Sequence, residues 1–297
     1  MATRSWARLA RLRRTAAWLA MSGVAAMLLS GCQGGAQNDQ DSDPGSGEVS
    51  LEHIHGLGIN PADGELYVAS HHGVFLVTGQ GAPEQIANRT QDFMGFTVVG
   101  PDHFLGSGHP GPQDTDQPPN VGLIESTDAA TSWHSLSLSG EVDFHALEAK
   151  HGKVYGYDSL SGQIMVSDDK ETWDKRAGLP LADIAVSPDD PDVVLATTQQ
   201  GPARSTDGGR SFTPIDGAPV LIFLDWPGKE VLVGVSPDGV VYVSDDGGTG
   251  WTEQGRVPGG PQAILAHGKS EMYVATDEGI QHSTDNGKTF TVLQPLA

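Results

Sequence analysis

Short runs in which apolar and polar residues alternate recur along most of the chain. One type occurs five times, as ELYVA, KVYGY, VVLAT, EVLVG and EMYVA, beginning at Glu65, Lys153, Val193, Glu230 and Glu271. Such runs are typical of strands with one buried face. Turn-forming segments such as NPADG (60–64) and SPDDP (187–191) separate them. No stretch carries a long helical period, so the pattern predicts an all-β chain.

A second pattern follows several of these runs and repeats at a nearly constant distance. It has the form Ser-x-Asp-x-Gly-x-x-Trp/Phe, and its aspartates are Asp128, Asp168, Asp207, Asp246 and Asp285. Successive aspartates lie about 40 residues apart, a spacing typical of propeller blades. Two copies are imperfect, because Ala130 and Lys170 replace the glycine and Val166 replaces the serine.

We interpret each repeat as the corner between the third and fourth strands of a blade. The carboxylate can accept hydrogen bonds from its own turn, and glycine supplies the positive φ that the corner needs. At about 40 residues per blade, residues 48–297 predict a six-bladed β-propeller. Each blade should contain four antiparallel strands, named A to D from the central channel outwards. In blade 1 they are expected near 54–59, 66–69, 74–78 and 84–88.

The N-terminal segment predicts an exported lipoprotein. Five arginines precede an apolar stretch over residues 16–29, and the sequence LSGC, which ends at Cys32, matches the bacterial lipobox. We expect a signal peptide over residues 1–31, lipidation of Cys32, and a flexible tether over residues 32–47. The protein would then be anchored to the outer face of a bacterial cytoplasmic membrane or cell envelope. Sec and twin-arginine export both remain open.

The charge of the chain narrows the classes of partner. The formal net charge is −21, and removal of the arginine-rich segment makes it more negative. Phosphate binding needs a basic surface, so nucleic acid is excluded as a partner. We expect a monomer that touches the membrane only through its lipid. Its partner at the propeller face would be a small ligand, a glycan or a protein.

Histidines gather at one end of the predicted channel, where A strands begin and B strands end. That end is predicted to hold His53, His55, His71, His72, His109 and His145, with Met94, Asp92, Asp143, Asp158 and Asp183. Histidine is the commonest metal ligand, and His-x-His on a strand places both rings on one side.

These residues predict a transition-metal site. The expected ligands are His53, His55 and His145, with His71, His109 and Met94 as further candidates. Asp92 and Asp143 would orient these ligands or complete the ligand shell. Copper would suit His with Met, and zinc would suit His with Asp. The alternative is a polar channel lining that binds only water.

The corner repeat resembles the BNR or Asp-box repeat of sialidase-like β-propellers over about residues 121–297. The segments HIHG at His53, MGF at Met94, SGHP at Ser107 and DFHA at Asp143 resemble exported bacterial propellers labelled glycosyl hydrolase. The resemblance implies the propeller fold and a shared site on one face. It implies no single activity, because hydrolases, sorting receptors and assembly factors share the repeat.

Sialidase activity is not expected from this sequence. A sialidase needs an arginine trio to clamp the substrate carboxylate, and the predicted topology lets no three of the five arginines beyond residue 31 converge on the channel. Another glycosidase could use Asp92, Asp143 or Asp158 as a carboxylate pair. A protein-assembly scaffold without catalytic groups is the third possibility.

Overall fold

The computed structural model describes residues 51–79 and 81–296, which form a six-bladed β-propeller. The predicted fold class is therefore confirmed, with four antiparallel strands in every blade. The predicted signal peptide, lipidated Cys32 and tether lie outside the described residues. Among the described residues, no helix is long and apolar enough to cross a membrane.

The strands of each blade follow one another in sequence. Blade 1 contains β1 (Ile54–Ile59), β2 (Leu66–Ser70), β3 (Gly73–Val77) and β4 (Glu84–Gln85), with a 3-10 turn at Ile86–Asn88. Blade 2 contains β5 (Asp92–Gly100), β6 (His103–His109), β7 (Leu123–Ser126) and β8 (His134–Ser137). Blade 3 contains β9 (Phe144–Lys150), β10 (Lys153–Asp158), β11 (Gln163–Ser167) and β12 (Asp174–Gly178).

The other three blades repeat this order. Blade 4 contains β13 (Ile184–Val186), β14 (Val194–Thr198), β15 (Gly201–Ser205) and β16 (Thr213–Pro214). Blade 5 contains β17 (Phe223–Gly228), β18 (Val231–Val235), β19 (Val240–Ser244) and β20 (Thr252–Arg256). Blade 6 contains β21 (Pro261–His267), β22 (Glu271–Thr276), β23 (Gly279–Ser283) and β24 (Thr291–Pro295).

The hydrophobic core lies between neighbouring sheets. Between blades 1 and 2, the Phe104 ring contacts Tyr67 at 5.0 Å and Phe96 at 5.5 Å between centroids. A fully buried side chain of this size stabilises the fold by about 1.5–3 kcal/mol. Because each sheet buries both faces in this way, packing between blades fixes where the inner strands begin.

The ring closes without exchanging a strand between blades 1 and 6, because each blade is built from one continuous segment. Packing joins the two instead, with Ile54 and Leu57 in the same buried cluster as Ala263 and Ile280. The Ile54 N–H also donates a hydrogen bond of 2.9 Å to Gln262 Oε1.

Four of the five predicted corners share one hydrogen-bond pattern. In each, the Ser hydroxyl donates a hydrogen bond to the Asp carboxylate and accepts one from the N–H of the residue four positions after the serine. The aspartates are Asp128, Asp207, Asp246 and Asp285. The corner glycines Gly209, Gly248 and Gly287 have φ values of 86°, 89° and 79°, as the turn requires.

The fifth corner is shifted by one residue, so the prediction for Asp168 is wrong. Asp169 accepts hydrogen bonds from the Ser167 hydroxyl at 3.1 Å and the Thr172 N–H at 2.7 Å. Asp168 is largely exposed and pairs with Lys153. This corner is one residue shorter than the others. The constant spacing of the other repeats therefore predicted Asp168 instead of its neighbour Asp169.

Candidate metal centre at the channel mouth

Antiparallel pairing brings the predicted histidines to one end of the channel, here called the mouth. The first residue of β1, Ile54, pairs with Ser70 at the end of β2, and Asp92 pairs with His109 in blade 2. In blade 3, Phe144 pairs with Asp158. Residues that precede A strands and end B strands are therefore neighbours in all three blades.

Three imidazole rings of blade 1 form a stack. The His71 ring lies 4.9 Å from His53 and 4.7 Å from His55 between centroids, with interplanar angles of 25° and 16°. His53 has a φ of 49°, in the left-handed region that costs a non-glycine residue roughly 1 kcal/mol. Strained backbone of this kind concentrates at functional sites.

Among the described residues, His55, His71 and Asp92 are the only group of three or more side chains arranged closely enough that they could hold a metal ion, and they are here called the compact group. One donor atom from each lies within 4.8 Å of the other two, and His71 Nε2 lies 3.8 Å from Asp92 Oδ1. In a tetrahedral site with metal–donor distances of about 2.0–2.2 Å, the donors lie about 3.4 Å apart. Side-chain rotations that move the donor atoms by about 1 Å would close the group.

Two donor atoms of this group lack hydrogen bonds. His55 Nε2 and Asp92 Oδ1 are buried, and neither has a hydrogen bond within the described part of the chain, although Asp92 Oδ1 lies 3.8 Å from His71 Nε2. Buried polar atoms are almost always paired in folded proteins because an unpaired one costs about 1–3 kcal/mol. The two atoms therefore have unused capacity to bind an ion or a hydrogen-bond donor.

The electrostatic environment keeps His55 neutral. Burial, followed by the neighbouring His71, His145 and His53, lowers the pKa of His55 to about 4, although Asp143 acts in the opposite direction. Burial also lowers the pKa of His71, against the opposing effect of Asp92. Neutral imidazole is the form that binds metal ions, so His55 can act as a ligand near pH 7 without first losing a proton.

A second group at the mouth surrounds Asp143. Its Oδ2 lies 2.8 Å from His145 Nε2 and 3.8 Å from His109 Nε2, and it accepts a 3.1 Å hydrogen bond from the Ser159 hydroxyl. Burial raises the pKa of Asp143, but the hydrogen bond and charge of His145 and the charge of His109 outweigh it. The net pKa shift is downwards, so Asp143 is a carboxylate at neutral pH.

The loop that joins β6 to β7 (residues 110–122) holds His109 in one tautomer. His109 Nδ1 lies 2.9 Å from the Pro119 carbonyl oxygen, which can only accept a hydrogen bond. Nδ1 therefore carries the hydrogen, and the neutral ring has its lone pair on Nε2. The loop itself is tied down by the 3.3 Å ion pair between Arg89 and Asp114.

The structure rearranges the predicted ligand set. His55 lies in the compact group with His71 and Asp92, but His53 and His145 are not part of that group, and His145 hydrogen-bonds Asp143. Met94 is half buried at the start of β5, outside the compact group. Asp158 caps its own turn by accepting the Leu160 and Ser161 N–H groups at 3.2 Å.

Three carboxylates below the mouth join neighbouring blades. Glu148, Asp183 and Asp225 accept the N–H groups of Val186, Leu224 and Ala266 at 2.6, 2.9 and 2.7 Å. They line a channel cavity of about 550 Å³, together with Lys150. Glu148 and Asp225 were not among the predicted site residues. The sequence feature that could have identified both residues is a charged side chain in the middle of a predicted, buried A strand.

Lys150 lies among these carboxylates. Its ammonium group contacts Glu148 at 2.6 Å and donates to the Val186 and Trp226 carbonyls at 2.9 and 2.8 Å. Burial raises the pKa of Asp183 and of Asp225 to about 7, against the effect of hydrogen bonds from the Leu224 and Ala266 N–H groups. The pKa of Glu148 is also raised by burial.

The arginines beyond residue 31 do not meet at the mouth. Each is bound to a different part of the structure: Arg89 to Asp114, Arg176 to Gly208, Arg204 to Gly247, Arg210 to Asp174, and Arg256 to Asp238. The described residues therefore contain no arginine trio of the kind that clamps a sialic acid carboxylate.

Comparisons with known proteins support the fold. No protein-family model matches the sequence, and no curated protein matches it. Solved structures do match, including a GH74 enzyme of Niastella koreensis, with a TM-score of 0.53, 16% identity and 82% of this chain covered. This chain spans only 37% of the length of that enzyme.

Two further neighbours are similar over most of their length. YCF48 bound to D1 peptide has a TM-score of 0.52 and 15% identity, and covers 82% of both chains. The WD40 β-propeller domain of Doa1 has a TM-score of 0.58 and 11% identity, and covers 82% of this chain and 83% of the domain. Identities this low show the propeller architecture alone.

Proposed function

We propose that this protein is a lipid-anchored, extracytoplasmic propeller that binds a transition-metal ion at the mouth of its channel. The first ligands are His55, His71 and Asp92. The observation that carries the proposal is the pair of buried, unpaired atoms, His55 Nε2 and Asp92 Oδ1, in a group whose donors lie within 4.8 Å.

The donor set favours a borderline divalent ion. Two imidazoles and one carboxylate form a common three-residue ligand set for Zn²⁺, and they leave further positions open for water or a ligand. Cu²⁺ also binds imidazole and exceeds Zn²⁺ in intrinsic affinity. Zinc and copper are therefore the two ions to test.

The cellular placement is part of the same proposal. It rests on the arginine-rich segment, the apolar stretch and the lipobox that ends at Cys32. Mass spectrometry of the membrane-extracted protein should show a diacylglyceryl-modified Cys32 as the N-terminal residue. An unmodified Cys32, or retention of residues 1–31, would contradict lipid anchoring.

Metal binding is tested by equilibrium dialysis of the purified protein against Zn²⁺ or Cu²⁺, followed by elemental analysis. The wild-type protein should retain bound metal. The double variant His71→Ala/Asp92→Asn should lose at least tenfold in affinity at this site, because it removes two of the three ligands.

His134→Ala is the matched control, since it removes an exposed histidine from the outer strand β8. It should leave binding unchanged. A wild-type protein that retains no metal above the dialysis buffer would overturn the proposal, as would a His71→Ala/Asp92→Asn variant that binds like the wild type.

A protein partner is the second candidate function. A largely apolar cavity of about 270 Å³ between blades 4 and 5 is lined by Leu181, Val220 and Ile222, and Val220 is 46% exposed. One structural neighbour was solved with a bound peptide. Crosslinking in membranes should yield a partner protein that is lost in the variant Val220→Glu. Variants of the metal site should retain that partner.

A glycosidase using Asp92 and Asp143 is the third candidate, and the neighbouring GH74 enzyme is the observation that favours it. It predicts turnover in a screen of glycans, with loss of that turnover in Asp143→Asn. No turnover by the wild-type protein on a broad glycan panel would contradict it.

A further inference from the structure

The His–Asp contact at the first blade junction is repeated at the second. At the junction of blades 1 and 2, His71 Nε2 lies 3.8 Å from Asp92 Oδ1. At the junction of blades 2 and 3, His109 Nε2 lies 3.8 Å from Asp143 Oδ2. In both, the histidine stands at the end of a B strand and the aspartate at the start of the next blade's A strand.

Both aspartates also carry a buried oxygen without a hydrogen bond. The Asp143 side chain is only 5% exposed, and its Oδ1 has no hydrogen bond to any described residue, as is also true of Asp92 Oδ1. The other oxygen of Asp143 is bound by His145 and Ser159. Asp143 Oδ1 is therefore free to bind a cation, although it is almost completely buried.

One imidazole beside Asp143, that of His109, already presents a nitrogen to it. The Pro119 carbonyl fixes the His109 tautomer, which leaves Nε2 free on the side of Asp143. Metal-bound histidines commonly donate their other N–H to a carbonyl in this way. His109 and His145 are each 38% exposed, so their rings have room to turn towards a shared ion.

The repeat stops after the second junction. The B strand of blade 3 ends at Asp158, which caps its own turn, so no histidine stands there. At the start of blade 4, the two oxygens of Asp183 accept the Ile184 and Leu224 N–H groups. The third junction therefore has no His–Asp contact, and the pattern gives two sites rather than a ring of them.

We propose that the mouth binds a second divalent transition-metal ion through Asp143, His109 and His145, next to the ion bound by His55, His71 and Asp92. This inference rests on the proposed function, because it extends the same chemistry to the neighbouring junction. The protein then holds a pair of ions whose first ligands come from consecutive blades.

The second ion binds more weakly than the first. Among the described residues, only His55, His71 and Asp92 have all their donor atoms within 4.8 Å of one another. The second site must also break the 2.8 Å hydrogen bond between His145 and Asp143 before both can bind an ion. The two sites should therefore fill in sequence.

Titration with Zn²⁺ alone, read by calorimetry and by elemental analysis after dialysis, tests the proposal on the purified full chain. The wild-type protein should bind two ions per chain, the second at least tenfold more weakly. Asp143→Asn and, separately, His109→Ala should bind one ion with the affinity of the tighter site. That retained binding also shows that the variants are folded.

The outcomes separate this inference from the proposed function. A wild-type protein that binds one ion, unaffected by Asp143→Asn, overturns the second site and leaves the first intact. Two ions retained in both Asp143→Asn and His109→Ala overturn the assignment of the ligands. No bound ion in the wild-type protein overturns the proposed function and the second site together.

Discussion

At the scale of single residues, the corner of blade 3 shows how one carboxylate organises a turn. Asp169 accepts the Thr172 N–H at 2.7 Å and the Thr172 hydroxyl at 2.6 Å. The hydroxyl bond and then the N–H bond lower the pKa of Asp169, so it remains charged in acid. Its neighbour Asp168 points into solvent and contributes one surface ion pair, which is worth little.

The two aspartates make a matched pair for a stability measurement. Asp169→Ala should lower the melting temperature, because the corner N–H and hydroxyl groups lose their acceptor. Asp168→Ala should leave it close to that of the wild type. Thermal denaturation followed by circular dichroism checks both, and equal losses in the two variants would contradict the one-residue shift of the corner.

The mouth shows which residue-scale features could be predicted from sequence. Antiparallel pairing alone brings His55, His71 and His145 to one end of the channel, since A strands begin where B strands end. The choice of partner could not be predicted, because it depends on side-chain rotation over a few ångströms. His145 turns to Asp143, and His71 inserts between His53 and His55.

At the scale of elements, the inner strands pack so closely that glycine is required at some positions. A Cβ added at Gly95 on β5 would lie 2.5 Å from the Phe144 carbonyl oxygen of the next blade. The backbone atom cannot rotate away, so the strands β5 and β9 would have to separate. At Gly100, the last residue of the same strand, an added Cβ meets no atom within 4 Å.

This difference gives a second matched pair. Gly95→Ala should destabilise the protein by about 1–3 kcal/mol through overpacking, and it should weaken metal binding, because β5 also carries Asp92. Gly100→Ala should change stability by no more than about 0.5 kcal/mol. Urea denaturation measures both, and a harmless Gly95→Ala would show that the inner strands are less tightly packed than the structure indicates.

Strand positions follow closely from the alternating pattern where turns are marked by Gly, Pro and Asn. The expected segment 54–59 matches β1, and 66–69 falls within β2. The expected outer strand at 84–88 is wrong beyond residue 85, because the chain continues into a 3-10 turn with Ala87 at a φ of 54°. Outer strands are hydrogen-bonded to another strand along one edge only, so their sequences are less constrained.

At the scale of the whole molecule, the channel carboxylates link stability to pH. The pKa values of Asp183 and Asp225 are raised from 3.8 to about 7, so both groups hold protons in the folded protein that they would release when unfolded. Their contribution to stability is therefore full below about pH 4 and is lost as the pH rises towards 7.

The double variant Asp183→Asn/Asp225→Asn isolates this effect. The amide oxygens can still accept the Leu224 and Ala266 N–H groups but cannot ionise. The unfolding free energy of the variant relative to the wild type should increase from pH 5 to pH 8, by on the order of 1–4 kcal/mol per group. The pKa of His55 acts in the opposite direction in both proteins, so only the difference between them is informative. A difference that does not change with pH would contradict the raised pKa values.

The central claim is that one transition-metal ion binds where blades 1 and 2 meet at the mouth. Crystals of the protein grown with Zn²⁺ or Cu²⁺, with diffraction data collected on both sides of the absorption edge of the metal, test it most directly. We predict an anomalous difference peak about 2.0–2.2 Å from one donor atom each of His55, His71 and Asp92. If the crystals show no such peak at the mouth, whether or not they show metal elsewhere, metal binding by His55, His71 and Asp92 is contradicted.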